Sequence, residues 1–182
     1  MSIGVLIPVY SLATGVYSLN APVPGEVSRI ASELHPLLAG FDRVREQHSL
    51  VVKRLGDTES VHHLGERIRG ALTGTPAFEV RVDGIELFET PTKGSAPVIY
   101  LRVDSPELLS VHERLVREFS PVAGLEADDY VPHVTLARGG DIDEARRLTE
   151  RTIEPVTWTV TELSLWDARY GVSPGTIRLP VR

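Results

Sequence analysis

The sequence predicts an α+β fold of two lobes, related by a pseudo-twofold axis, whose sheets face a central groove and whose helices lie outside. Two observations carry this reading. The order strand, helix, histidine-led strand, helix, strand runs once over roughly residues 16–90 and again over 97–182, where one extra strand closes the round. The two histidine-led strands, starting at His48 and His133, begin 85 positions apart (133 − 48), and each carries a cation five places on, Lys53 and Arg138. The 182 residues are read as a single bilobal domain with interleaved lobes, and residues 1–15 as an N-terminal extension or edge strand.

Each element has a local reason. Val16 to Leu19 reads as a strand ended by Pro22 and Pro24. Val27, Ile30, Ala31 and Leu34 recur at helical spacing. The His48 strand runs through Leu55 and stops at Gly56-Asp57. Val61, Leu64, Ile68 and Leu72 mark a second helix, closed by Gly74. Phe78, Val80 and Val82 alternate as a strand, which Ile85 to Phe88 extends past Gly84. Val98 to Val103 opens the second round. Ser105-Pro106-Glu107 is a helix start with proline in the first turn, and Leu108, Leu115 and Phe119 give that helix its apolar side. The His133 strand ends at Gly139-Gly140, a charged helix spans Asp141 to Ile153, and Val156 to Trp166 and Thr176 to Val181 are antiparallel closing strands.

Composition narrows the function classes. The chain is 42% hydrophobic, which suits a packed core, and it has no cysteine, so disulfides and thiolate metal sites are absent. A net charge of −6 argues against broad electrostatic binding of duplex nucleic acid; a nucleic-acid partner should be small or held in a locally positive cleft. The first charge is Glu26, and Pro8 interrupts the apolar start, so neither a signal peptide nor a membrane span is expected. The expected location is cytoplasmic. No Walker A string, GxGxxG or HExxH is present, and the adjacent His62 and His63 do not share a helix face for metal binding.

The residues that carry chemistry sit in Tyr130-Val131-Pro132-His133-Val134-Thr135-Leu136-Ala137-Arg138. On a strand His133 and Thr135 share a face, which pairs a proton carrier with a hydroxyl donor. Arg138 adds a fork suited to phosphate oxygens, although its odd separation from His133 requires the strand to twist or end first. In the first half, Ser49 directly follows His48, so a regular strand sends it to the opposite face unless a bulge re-aims it. The same shift of phase would exchange Lys53 for Arg54. Tyr130 is a candidate groove wall. His112 reads as structural, Trp158 and Trp166 as core, and Arg146, Arg147 and Arg151 as a solvated helix face.

At these residues the chain resembles the 2H phosphoesterase superfamily, in its 2′-5′ RNA ligase-like or RNA 2′,3′-cyclic phosphodiesterase branch. Tyr130 to Arg138 is similar to the family's second His-x-Thr/Ser motif, and His48-Ser49-Leu50 departs from the first. The resemblance implies a cyclic phosphodiesterase that opens 2′,3′-cyclic phosphates of RNA ends or small nucleotides to 2′-phosphates. Its catalytic residues would be His48, His133, Thr135 and Ser49, with Arg138 and Lys53 holding phosphate and no metal or cofactor. Related expectations are 2′-5′ RNA ligation or opening of an ADP-ribose cyclic phosphate. A non-catalytic RNA-binding protein of the same fold is the reading from another class. No membrane or protein partner is implied, and a monomer is the default.

Overall fold

The computed structural model describes residues 17–58 and 60–181; the expectations for residues 1–15 and for Val16 lie outside them. Among the described residues, four α-helices and nine strands follow in chain order. They are β1 (Tyr17–Ala21), α1 (Gly25–Leu34), β2 (Arg43–Val44), β3 (Leu50–Gly56), α2 (Val61–Ala71), β4 (Phe78–Phe88) and β5 (Val98–Asp104). Then come α3 (Pro106–Glu118), β6 (His133–Arg138), α4 (Ile142–Thr149), β7 (Val156–Val160), β8 (Glu162–Asp167) and β9 (Val172–Arg178). The helix starts follow sequence chemistry. The Ser60, Ser105 and Asp141 side chains accept the N–H of His63, Leu108 and Glu144, each satisfying one orphan donor of a first turn.

All strands join one antiparallel sheet in the order β7-β4-β5-β6-β3-β1-β8-β9, with β2 beside β6. The predicted single strand from Val156 to Trp166 is two strands: β7 borders β4, and β8 borders β1. Only Thr161 separates them, a span of at most ~7 Å. Strands far apart along the sheet therefore meet end to end, and the sheet curls into a half-barrel. Helices α2 and α3 pack together and against β9, β3 and β4, while α4 packs on β4. Alternation puts Tyr17, Leu19, Val134 and Leu136 into the core beneath them. The intervening residues face the other side.

Two irregularities set what that other side carries. The β1–β3 register slips at Val52, and the β5–β6 register slips at Leu136. At each bulge two consecutive residues turn to the core, Val52 with Lys53 and Leu136 with Ala137, all buried. The residues that follow, Arg54 and Arg138, return to the open face.

A third irregularity is a gap. Strands β3 and β6 share only the pair Leu50–Val134. Beyond it, segment 120–130 fills the space. Lys53 Nζ lies 2.6 Å from Glu126 Oε2, both side chains fully buried, and also donates to the carbonyls of Ser120 (3.1 Å) and Arg54 (2.5 Å). Glu126 in turn accepts the backbone N–H groups of Arg54 (2.6 Å) and Val122 (2.9 Å). Carbonyls freed along β3 are also taken up: Tyr130 donates its hydroxyl to Val51 O at 2.8 Å, and His112 Nδ1 lies 2.7 Å from Val52 O. His112 Nε2 accepts from Ala127 N at 3.0 Å, so the neutral imidazole is fixed with its proton on Nδ1. Its ring stacks on Tyr130 at 3.7 Å, which makes His112 the structural residue expected of it.

Because the Lys53–Glu126 pair is buried and fully hydrogen-bonded, removing one partner strands the other without water. Glu126→Gln and Lys53→Met should each lower the free energy of unfolding by about 3–5 kcal/mol in denaturant titrations. A loss below about 1 kcal/mol would show that the pair is solvated.

Candidate active site

On the open face, strand alternation and the two bulges bring one residue set around a cavity of about 490 Å³. His48 and Ser49 line it from one side, and His133, Thr135 and Arg138 from the other. Arg45 and Arg54 complete the charged wall. Among the described residues, no aspartate or glutamate lines it. In a chain of net charge −6, three arginines and two histidines among the lining residues make this cavity locally positive. Burial and the neighbouring guanidiniums of Arg45, Arg54 and Arg43 push Arg138 below the ordinary arginine value.

His133 is placed tightly. Its ring meets Phe88 edge-on at 5.1 Å and Tyr100 at 5.2 Å. Nδ1 lies 2.7 Å from Val131 O, so it carries the proton in the neutral form and leaves the Nε2 lone pair free. Burial lowers the His133 pKa, and Arg54 and Arg138 lower it further against the pull of the Val131 carbonyl. His48 is held differently. It lies not on β3 but on the link between β2 and β3, which is tied to β6 by Arg45 N to Leu136 O at 2.8 Å and by the Leu50–Val134 pair. Partial burial, then Arg45, lowers its pKa.

The correspondence between β3 and β6 differs from the one expected. The bridged residues Leu50 and Val134 and the bulged residues Val52 and Leu136 are each 84 positions apart (134 − 50, 136 − 52), not 85. In this register Ser49 matches His133, Val51 matches Thr135 and Arg54 matches Arg138. His48 stands one residue out of step, which its place on the link permits. Ser49 reaches the cavity beside it, so strand parity does not turn the two apart. The counterpart of the Thr135 hydroxyl is the apolar Val51.

Lys53 requires correction. Expected to hold phosphate, it is buried on the core side with Glu126 and does not line the cavity. The bulge at Val52 supplies Arg54 instead, 3.8 Å from Glu126 through Nη1 and open to the cavity. The same device on β6 answers the parity of Arg138. Tyr130 walls an adjoining cavity of about 400 Å³, which shares Val51, Arg54, His133 and Arg138 with the first. Trp166, expected in the core, also lines the larger cavity, as do Asn20 and Ser18. Alternation from Tyr17 and Leu19 could have flagged Ser18 and Asn20 once β1 was read as half-buried.

A family model described as the 2′-5′ RNA ligase superfamily matches residues 49–171. No curated protein matches. Among solved structures, TT0787 of Thermus thermophilus has 18% identity and a TM-score of 0.63, over 91% of this chain and 98% of that one. LigT of E. coli, solved with 3′-AMP, has 17% identity and a TM-score of 0.62 over the same shares, 91% and 98%. The same protein solved with phosphate gives 19% and 0.59, again over 91% and 98%. At these identities the likeness is one of fold.

Both cavity histidines should titrate below the ordinary value of 6.5 in an NMR pH titration. Loss of a neighbouring positive charge favours the imidazolium, so Arg54→Ala should move the His133 midpoint upward. An unmoved midpoint would show that the guanidinium does not act on His133.

Proposed function

The chain belongs to the 2′-5′ RNA ligase superfamily, and on that premise we propose that it is a phosphodiesterase opening 2′,3′-cyclic phosphates of RNA ends or small nucleotides. The observation that carries this reading is the single cavity lined by two histidines, a threonine, Ser49 and three arginines, with no carboxylate among the described residues. The 3′-AMP and phosphate found with E. coli LigT agree with a phosphate-centred site here.

Opening the ring breaks the P–O3′ bond and forms a P–O bond to water. One base removes the water proton, one acid protonates O3′, and the product is a 2′-phosphate. His133 is suited to be the base. It is flanked by two guanidiniums and tied through Nδ1 to Val131 O, so it stays neutral with Nε2 free. His48, with one arginine beside it and the cyclic phosphate anion to favour its charge, is the acid. Arg54, Arg138 and the Thr135 hydroxyl stabilise the phosphoryl oxygens, where loss of one well-placed donor costs on the order of 3 kcal/mol. Ser49 is a second hydroxyl within reach of the same anion. With the apolar Val51 as the counterpart of Thr135 in the first half, donor strength is concentrated on the β6 side.

The reverse direction, joining ends through a 2′-5′ bond, uses the same groups with the roles of the histidines exchanged. Opening an ADP-ribose cyclic phosphate would need the same proton transfers. Val51 in place of a hydroxyl also favours a second reading, an RNA-binding protein of this fold without turnover.

The test is incubation with nucleoside 2′,3′-cyclic phosphates in the presence of a chelator. Conversion to 2′-phosphates is expected; binding without turnover selects the second reading, and dependence on added divalent metal removes the two-histidine scheme. His48→Ala and His133→Ala should each cut turnover by ~10² or more with the fold retained by circular dichroism. Thr135→Val should cost more than Ser49→Ala, and the opposite ranking would move the donor role to the β2–β3 link.

A further inference from the structure

We propose that the end of the cavity away from His133, floored by Asn20 and Trp166, holds the nucleobase of the substrate, with the Asn20 amide pairing its edge and Trp166 stacking on its face. This rests on the phosphodiesterase reading and extends it to how the nucleoside is gripped.

The floor is set by cross-strand register. Asn20 on β1 lies between Ser164 of β8 and Val51 of β3, and Ser18 lies between Trp166 and Arg54. All of these residues line the cavity that contains both histidines. Asn20 is only 8% exposed, and its Oδ1 is buried without a hydrogen-bond partner. Such an atom costs free energy in the empty protein, and a base edge bearing an N–H beside an acceptor satisfies both ends of the amide. Trp166, half-buried and two strands from Arg54, supplies a ring face for stacking. The row Trp166–Ser18–Arg54 also runs from ring to guanidinium, the order in which base, sugar and phosphate follow along a nucleotide.

The adjoining cavity of about 400 Å³ is less suited to read a base. Three of its polar side chains are already engaged: Thr92 Oγ1 with Gly124 O at 2.7 Å, Tyr130 with Val51 O at 2.8 Å, and Arg138 Nη1 with Lys93 O at 3.0 Å.

The experiment compares kcat/KM for nucleoside 2′,3′-cyclic phosphates with that for methyl riboside 2′,3′-cyclic phosphate, the same ring without a base. In the wild type the nucleotide should be preferred. Asn20→Ala and Trp166→Leu should each reduce that preference by about tenfold or more. Because Asn20→Ala removes an unpaired buried acceptor, its melting temperature should hold or rise, by about 2–4 °C. A merely structural amide would instead lower the melting temperature and leave the preference intact, which overturns the proposal. Calorimetric binding of nucleoside 2′-monophosphates and of methyl riboside 2′-phosphate to the wild type decides independently of turnover. Equal affinity overturns the base subsite, as does a gain from the base that both variants keep. If the wild type opens neither cyclic phosphate, the catalytic reading fails, and the binding arm still judges the base subsite.

Discussion

The site depends on how the chain manages the gap between β3 and β6. These strands share one bridged pair, Leu50–Val134, and then separate. A gap in a sheet leaves backbone groups without partners, and buried ones are costly. The chain closes it with charge and aromatic side chains in place of a further strand. The Lys53–Glu126 pair anchors segment 120–130, and Tyr130 and His112 take the carbonyls of Val51 and Val52. A buried ion pair of this kind contributes little beyond an apolar replacement of the same shape, but it tolerates no half-measure. It also fixes the orientation of Arg54, whose own N–H is bound by Glu126 while its side chain faces the cavity.

On that framework the electrostatics are one-sided. Among the described residues no carboxylate lines the larger cavity, and burial together with the neighbouring arginines depresses Arg138. An anion bound there would relieve the repulsion among these arginines and shift the histidines back toward their charged forms. The two sides are not equivalent. β6 brings histidine, threonine and arginine from one strand, whereas the first half brings its histidine from a link and has Val51 where the second hydroxyl would stand.

Much of this was legible in sequence, for identifiable reasons. Helices α1 and α3 announce themselves through Val27, Ile30, Ala31 and Leu34 and through the Ser105-Pro106 start, where spacing and capping are local properties. His133 and Thr135 were recognisable because two residues of a regular strand share a face by geometry alone. The bulges were not. A slip at Val52 or Leu136 depends on the partner strand, so the side occupied by Lys53 or Arg54 is undecided until β1 is in place. For the same reason the histidines give an offset of 85 between the halves where the bulges give 84. Nothing local to Val156–Trp166 shows that Thr161 parts two strands with different neighbours, and so Trp166 was assigned to the core and not to the groove. The two-residue β2 carries too little pattern to be seen at all.

The Thr161 junction has a mechanical side. It staples the two flanks of the half-barrel at one rim, while Leu50–Val134 holds them at the middle, and Leu179 N donates to Thr161 O at 2.8 Å to brace the staple. With the flanks pinned at two places, they cannot swing apart as jaws. Discrimination among ligands would then fall to the chemistry of the groove walls and not to closure around the guest.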